Sequence, residues 1–294
     1  MIPGAVEPGG TTVPLSTYTT MLSAVTPTEH GGAIATLTIN RPEKRNAWST
    51  ALSHDLAAVL GEIEADDEIG ATILTGAGTQ AFSAGADLGD NRTHRVNSVD
   101  RHLAAVTPRG SDVFNALADH PKPVVAAING YAIGIGCLIT LCCDILVASD
   151  NAELGLPQVP LGIIPAYGGA VRLARHVGRA NAMEMVLLGE RISAAEAYRI
   201  GFVNKVVPQA ELMEVAFDYA RRLAALPPLA VRMAKESLNK GLDIPNLKDA
   251  AQADLYRFML LGQTADSHEA HRAWREKRPP RFGGAGGGPR SDEA

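Results

Sequence analysis

The sequence predicts an α/β fold that ends in a helical region, on two observations. In the first half of the chain, short β-type runs alternate with segments of helical periodicity, which is typical of an α/β core. From about Pro208 onwards, helical patterns follow one another with few strand signals. Both ends are Gly-rich and bury too little apolar surface to offset their ordering entropy. The predicted organisation is a disordered segment at 1–16, an α/β core at 17–207, a helical region at 208–280 and a disordered tail at 281–294.

Each element follows from its residue pattern. Strands are predicted where apolar and Thr residues alternate, or where short apolar runs lie between turn residues, and the first two strands pair as a hairpin. Helices are predicted where apolar side chains recur at helical spacing, and the second helix ends near Pro121 and Pro123. In chain order, the strands are 17–25, 33–39, 71–75, 124–128 and 145–148. The helices are 48–63, 103–117, 134–141, 211–225, 230–239, 247–261 and 268–276.

Composition and charge exclude several classes of protein. A net charge of −5 gives no field to attract nucleic acid or an anionic membrane surface. The longest apolar stretch, from Val124 to Leu141, is interrupted by an asparagine and glycines, so we do not expect it to span a membrane. The three cysteines (Cys137, Cys142 and Cys143) have no metal-ligand spacing, which favours buried reduced thiols. Because the chain begins without a basic start and an apolar run, we expect a cytoplasmic protein without a signal peptide.

Two ligand-binding motifs are suggested by spacing and rejected by context. Residues 76–81 have the G-x-G-x-x-A spacing of a dinucleotide-binding turn and follow a strand, but the residues after them do not begin a helix. His268 and His271 share a helix face without a third ligand. We therefore expect neither a dinucleotide nor a metal.

Two glycine-bearing stretches, residues 81–88 and 129–137, remain after these exclusions. Each follows a predicted strand, and each has small residues where a ligand can approach the backbone closely. The second stretch also opens a helix, so its first N–H groups have no partner within that helix. Two such amides that converge on one oxygen would form an oxyanion hole. The alternative is tight packing of a strand against a helix without any ligand.

Further segments give these stretches a family resemblance. Together with the two glycine stretches, they occur in the order of the conserved blocks of the crotonase superfamily, which contains enoyl-CoA hydratases and isomerases. The resemblance covers about residues 18–280. The matching segments are 41–47 (Arg-Pro-Glu-Lys-Arg-Asn-Ala), 161–165 with Gly168 and Gly169, 187–194, 201–207 and the end of the helical region, from Trp274 to Pro279.

The resemblance implies a fold, a ligand and an assembly. The fold would be a spiral of repeated ββα units with a helical C-terminal region that assembles trimers, or dimers of trimers. The ligand would be an acyl-CoA thioester whose oxygen lies between the backbone N–H groups of Ala86 and Ile135. No cofactor beyond the CoA itself, and no metal, is implied.

The same resemblance implies residues for the two ends of the substrate. Pro165 and Tyr167 lie in the segment that lines the acyl pocket, where the Tyr167 hydroxyl either donates a hydrogen bond or only shapes the site. The CoA phosphates need cations, one of which would come from a neighbouring subunit through Lys277. The residues implied in CoA binding are Lys44, Arg45, Ala84, Asp87, Leu88, Trp274 and Lys277.

The two glutamates with which standard hydratases add water are replaced in this chain. Their positions hold Leu138 and Gln158, and neither side chain transfers a proton near neutral pH. An apolar residue at the first position is similar to the isomerase pattern, but Gln158 removes the isomerase's base as well. We interpret Gln158 as a neutral hydrogen-bonding residue in the wall of the site.

Other carboxylates are weak substitutes for these glutamates. Asp112 and Asp119 are seven residues apart on one predicted helix face, with Asn115 between them, and solvated charges are the simpler interpretation. Glu153 precedes Gln158 by an odd number of residues, so in an extended strand it would point to the opposite face.

Three functions therefore stay open. The first is an acyl-CoA enzyme with non-standard or weak chemistry at the acyl group. The second is a non-catalytic acyl-CoA binder that senses or carries lipid thioesters, and the third is a purely structural trimer with a closed pocket. The shape of the acyl pocket depends on residues 89–109, whose pattern is weak.

Overall fold

Two β-sheets make up the centre of the protein. The computed structural model describes residues 15–28, 32–90 and 112–283. Six strands form one sheet in the order β1-β2-β3-β5-β7-β10, and four form the other in the order β4-β6-β8-β9. The strands are β1 (Met21–Pro27), β2 (Ala33–Ile39), β3 (Ile69–Gly76), β4 (Ala81–Ser83), β5 (Val124–Ile128), β6 (Tyr131–Ile133), β7 (Ile145–Ser149), β8 (Glu153–Gly155), β9 (Arg191–Ser193) and β10 (Lys205–Val207).

From β3 to β8, consecutive strands alternate between the two sheets, which winds this part of the chain into a spiral. Strands β3, β5 and β7 are parallel neighbours in the larger sheet. Strands β4, β6 and β8, each of which follows one of them, are parallel neighbours in the smaller sheet. The predicted α/β spiral is therefore confirmed, as is the antiparallel hairpin of β1 with β2, which begins at Met21 rather than at Thr17.

Nine helices occur within the described residues. They are α1 (Thr50–Ala65), α2 (Asp112–Ala118), α3 (Ile135–Thr140), α4 (Gly169–Leu188), α5 (Ala194–Arg199), α6 (Leu212–Ala224), α7 (Pro228–Gly241), α8 (Leu247–Leu261) and α9 (Ala265–Glu276). The predicted helices are present with shifted ends, except that residues 103–111 of the second one lie outside the described part. Helices α4 and α5 were not predicted. None of the nine combines the length and the apolar character that crossing a bilayer requires.

The larger sheet buries both of its faces. On β2, Ala35 and Leu37 belong to the main core, to which α1 contributes Leu52 and Leu56. Ile34 points the other way, as the two-residue period of a strand requires, and packs in a second core with α6. Helix α6 therefore covers the sheet, although the predicted boundary places it in the C-terminal region.

Helices α7 and α8 bury no residue completely in the single chain. Helix α8 instead has a run of exposed apolar side chains. At the ends of the described part, Ser16 N–H donates a hydrogen bond to Glu62, and Gly283 N–H donates one to Asp266. Residues 1–14 and 284–294 of the two terminal segments predicted to be disordered lie outside the described residues.

Candidate active site

The first glycine stretch is joined by backbone hydrogen bonds to the loop that precedes α1. Ala84 N–H donates to Arg45 O at 3.0 Å, Trp48 N–H donates to Gly85 O at 2.7 Å, and Asp87 N–H donates to Trp48 O at 2.8 Å. This pattern makes Trp48 and Ala86 partners in a short parallel bridge. The hydrogen bonds of this bridge use Gly85 O and Asp87 N–H, which belong to the residues before and after Ala86. The Ala86 N–H itself donates to no acceptor within the described residues.

The second glycine stretch provides a similar free amide. Gly134 has φ 59°, and its N–H donates to Gly155 O. Ile135 is the first residue of α3, so its N–H has no acceptor one turn earlier in the helix. No hydrogen bond from the Ile135 N–H to another described residue is present.

The two turns lie against each other. A Cβ atom built on Gly134 would be 3.8 Å from Gly85 Cα, and one built on Gly85 would be 3.1 Å from Ile133 O. Strands β4 and β6 pair directly before the turns, which sets their relative position. At Gly136 a Cβ would overlap Ser83 O, so only glycine lets α3 pack this closely on β4. Two unused backbone donors thus occur in adjacent turns, an arrangement that suits a single oxygen acceptor.

Leu138 and Gln158, the positions at which the resemblance implies missing glutamates, are close to these turns. Gln158 Nε2 lies 3.5 Å from the position of a Cβ on Gly134, so the side chain crosses the start of α3. Gln158 Oε1 is buried and accepts no hydrogen bond. Leu138 is buried, and its Cδ1 lies 3.8 Å from the Cβ position on Gly169 at the start of α4. Neither residue supplies a group that gains or loses a proton.

An ion-pair network joins the early loop (residues 41–47) to the first glycine stretch. Arg41 Nη2 donates to Asp87 Oδ2 at 2.6 Å, and Lys44 Nζ donates to the same oxygen at 3.0 Å. Arg41 also donates to Ala47 O, and Gly89 N–H donates to Asp87 Oδ1. These hydrogen bonds, first from Arg41 and then from Lys44, lower the pKa of Asp87 from its ordinary 3.8 to about 2. The Asp87 carboxylate is therefore occupied by hydrogen bonds within the fold, and it is ionised at neutral pH.

Substitution of Asp87 by asparagine is expected to lower the free energy of unfolding by about 1–3 kcal/mol at neutral pH, because hydrogen bonds to a largely buried charged group are lost. Since the folded pKa is depressed, the carboxylate stabilises the fold above about pH 4, and this contribution is lost as the pH falls towards about 2. The difference between wild type and variant in urea unfolding should thus shrink between about pH 7 and about pH 3. The exposed pair Glu196–Arg199 offers the control, because Glu196→Gln should leave stability unchanged. A difference that does not change with pH would contradict this assignment.

Tyr167 lies two residues before the start of α4 and forms this side of the site. Its backbone has φ 53°, a conformation that bulky residues rarely adopt. Its ring lies 4.9 Å from the ring of Phe114, which lies 5.6 Å from that of Trp48, the bridge partner of Ala86. Pro165, two residues earlier, is buried and lies 3.0 Å from the Cβ position on Gly169.

No contact between the described alternative carboxylates, Asp119 and Glu153, and the two glycine turns is present. Asp119 follows α2 and is exposed, and the side chain of Asp112 lies outside the described part. Asn115 accepts a hydrogen bond from Arg172 of α4. Glu153 forms an ion pair with Arg191 across β8 and β9. Glu153 and Gln158 do not share the extended strand predicted for them, because β8 ends at Gly155 and Gln158 precedes a short 3₁₀ helix.

The predicted CoA-binding residues fall into two groups. Lys44, Arg45, Ala84 and Asp87 are brought together where the early loop meets the first glycine stretch. Exposed Leu88 is next to them, with 78% of its surface accessible. The other group is on α9 and its C-cap, where Trp274 is 81% exposed and Lys277 ends the helix. Within the described residues of one chain, no hydrogen bond or ion pair connects this second group to the first.

A cavity of about 390 Å³ lies elsewhere, between α1, α7 and the residues around the end of α2. It is lined by charges of both signs, among them Glu64, Asp119 and Arg232, and it is separate from the two glycine turns. In the part of the chain that the structure covers, no three His, Cys, Asp or Glu side chains are grouped as metal ligands. The three cysteines are buried and unpaired, and burial raises the pKa of Cys137 to about 12.

The spiral of two mainly parallel sheets, with paired glycine turns at the strand ends, defines a protein of the crotonase fold. The family model for enoyl-CoA hydratase/isomerase matches residues 29–285. The chain belongs to this family.

Relatives and solved structures agree with this assignment. A short-chain-enoyl-CoA hydratase of Clostridium acetobutylicum is 40% identical over 250 residues, which cover 85% of this chain and 94% of the relative. A 2,3-dehydroadipyl-CoA hydratase of Escherichia coli is 39% identical over 249 residues, 84% of this chain and 94% of the relative. The crystal structure of an enoyl-CoA hydratase from Bacillus anthracis superposes with a TM-score of 0.82 at 34% identity, and the match covers 90% of this chain and 99% of that one.

Sequence reasoning missed three residues that shape the site. The sequence pattern places Arg41 only in the early loop, and it places Trp48 and Phe114 only in predicted helices. An arginine in this loop is consistent with a nearby anion, but the sequence does not identify Asp87 as that anion. The contact between Phe114 and Tyr167 joins residues 53 positions apart, which no local pattern indicates.

Proposed function

We propose that this chain is an acyl-CoA enzyme that holds the thioester oxygen between the N–H groups of Ala86 and Ile135 and does not use the two-carboxylate chemistry of a standard hydratase. The observation that supports this proposal most is that neither N–H group donates to any described residue, in two turns that contact each other. Preorganised amides stabilise the negative charge that develops on a thioester oxygen, and they require no ionisable side chain.

Reactions that pass through an enolate fit this site best. An enolate forms when a malonyl-type thioester loses CO2, when a β-keto thioester is cleaved, or when water adds to an enoyl thioester. The apolar Leu138 and the neutral Gln158 cannot act as general base, which typically contributes about a hundred- to ten-thousandfold. We therefore infer that hydration is weak, and that reactions whose first step needs no base are favoured.

The CoA nucleotide would lie along the early loop. Lys44 is half-exposed beside Asp87, and Arg45 follows it, so both cations are accessible to phosphates. By analogy with the family, Lys277 would come from a neighbouring subunit, and Trp274 stands near where relatives place an aromatic against the ligand. We propose no cofactor beyond CoA and no metal, and the three buried thiols fit a cytoplasmic location.

The proposal is tested by incubating purified protein with enoyl-, β-keto- and malonyl-type CoA thioesters and following the products by liquid chromatography with mass detection. Turnover of at least one class is the expected outcome. If the whole panel stays inert while intact thioester is recovered, the enzyme proposal fails.

A second candidate, a non-catalytic acyl-CoA binder, is favoured by one observation. Both positions that carry catalytic glutamates in hydratases hold residues that cannot exchange protons, while the glycine turns are intact. This candidate predicts micromolar binding of CoA thioesters in calorimetry without any product. If neither binding nor turnover is observed, only the structural role remains.

We also propose that the chain forms a trimer or a dimer of trimers through its C-terminal helices. Exposed apolar side chains of α8, Phe258 and Met259 among them, form a surface that a second copy would cover. Phe258→Asp is expected to give a monomer in size-exclusion chromatography with light scattering, because burial of an unpaired charge at an interface is unfavourable. The wild type should elute at three or six times the chain mass of 30.9 kDa. Tyr198→Asp on α5 is the control, and an unchanged assembly of the Phe258 variant would contradict the proposal.

A further inference from the structure

We propose that the hydroxyl of Tyr167 is the group that transfers a proton to the acyl chain in this enzyme. This inference rests on the function proposed above and deepens it, because it assigns the proton-transfer step that Leu138 and Gln158 cannot perform. Three observations carry it: the place of Tyr167, its backbone conformation and the freedom of its hydroxyl.

The place of Tyr167 is fixed from two sides. Its ring packs on Phe114, which packs on Trp48, and Trp48 is paired with Ala86 through the bridge. Two residues after Tyr167, the Cβ position on Gly169 is 3.8 Å from Leu138 Cδ1. Ring packing therefore links Tyr167 to the bridge at Ala86, and Gly169, two residues further along the chain, lies next to Leu138, the position of the first missing glutamate.

The backbone of Tyr167 is in a conformation that its side chain disfavours. A φ of 53° is the left-handed region, where glycine or asparagine is the usual residue, and the next residue is itself a glycine with φ 79°. Such a conformation persists only where the surroundings determine it, and it occurs preferentially at functional sites. Here the ring contact with the buried Phe114 holds it.

The hydroxyl of Tyr167 has no use in the fold. Throughout the described part of the chain it makes no hydrogen bond, and it is not among the buried polar atoms, so it remains accessible. This differs from Tyr18, whose hydroxyl is buried. A ring that is held by packing and a hydroxyl that is free are the two properties required of a positioned proton donor.

The step can be written with all atoms accounted for. An enolate arises at the thioester when CO2 leaves a malonyl-type acyl group and the electron pair of the broken C–C bond moves onto the α carbon and the carbonyl oxygen. The Tyr167 O–H bond then breaks, a C–H bond forms at the α carbon, and the O–H electron pair stays on the phenolate oxygen. Water returns a proton to that oxygen and leaves hydroxide. Enolates formed from β-keto or enoyl thioesters are protonated in the same way.

The test is the single-atom change Tyr167→Phe, measured with whichever thioester of the panel the wild type converts. The variant keeps the ring contact with Phe114, so we expect the same fold and a KM within about threefold of wild type, whereas kcat should fall by about a hundredfold or more. Tyr219→Phe on α6, whose ring packs beneath Arg222, is the matched control and should keep wild-type kcat. Thermal unfolding of both variants checks that the fold is intact.

Each outcome decides between supporting and overturning the inference. A fall in kcat with an unchanged KM supports proton transfer by Tyr167. An unchanged kcat, or a change in KM alone, overturns it and shows that the ring only shapes the acyl site. An inert wild type contradicts the proposed function itself, and this inference falls with it. An active wild type with an equally active Tyr167→Phe variant overturns only the inference.

Discussion

Replacement of Ala86 by proline is expected to lower turnover of an acyl-CoA substrate by about a hundred- to a thousandfold, because proline deletes one of two donors to the thioester oxygen. The substitution removes no hydrogen bond from the fold. The bridge to Trp48 uses Gly85 O and Asp87 N–H, and both groups remain in the variant. Steady-state kinetics with the best substrate of the thioester panel measures the effect as a loss in kcat/KM.

Ala86→Ser serves as the control for this substitution, since it changes the side chain and keeps the N–H. It should retain most of the wild-type activity, and both variants should show wild-type circular dichroism. Equal activity of wild type and the proline variant, with both folded, would contradict the assignment of Ala86 as a donor.

Gly136→Ala is expected to have the second-largest effect, because it separates the two glycine stretches. A Cβ at this position would overlap Ser83 O and lie 2.9 Å from Ser83 Cβ, so α3 must move away from β4. Overpacking of this kind costs about 1–3 kcal/mol of stability. The same movement carries the Ile135 N–H away from the Ala86 side, so activity should fall more than the loss of stability alone explains. Urea unfolding and kinetics on the same preparation measure the two effects.

Gly61→Ala is the matched control for that substitution. Gly61 lies in α1, and a Cβ built there has no neighbour within 4 Å. Since alanine is the better helix former by about 0.5–1 kcal/mol, this variant should be slightly more stable and fully active. If Gly136→Ala behaved like Gly61→Ala, the close contact of α3 with β4 would not be needed for the site.

Five strands of the larger sheet and seven of the nine helices in the described part were predicted from their apolar patterns, whereas β10, α4 and α5 were not. Strand β5 occupies residues 124–128 as predicted, and α8 occupies residues 247–261 as predicted. The smaller sheet was missed, since β4, β6, β8 and β9 have three residues each and show no period over such a length. The place of α6 was also missed, because a sequence pattern gives the apolar face of a helix and not the surface that covers it.

The candidate site was predictable only as far as backbone features mark it. The glycines of the two stretches indicated where chain segments meet closely, and the structure brings Gly85 and Gly134 together. The contacts of Arg41 with Asp87, and of Tyr167 with Phe114, join distant parts of the chain through side chains. No periodicity encodes such contacts. The left-handed backbone of Tyr167 is likewise invisible in the sequence, since tyrosine is not a residue from which it would be predicted.

The central claim is that two backbone amides polarise a bound thioester, and the carbonyl stretching frequency of that thioester tests it most directly. Infrared difference spectra of an acyl-CoA labelled with ¹³C at the thioester carbonyl would be recorded free and bound, with wild type and with Ala86→Pro. If both amides polarise the carbonyl, its frequency should shift lower on binding to wild type. The shift should be smaller with the proline variant while the ligand stays bound. A bound ligand whose frequency does not change, or shifts equally in both proteins, would contradict the account.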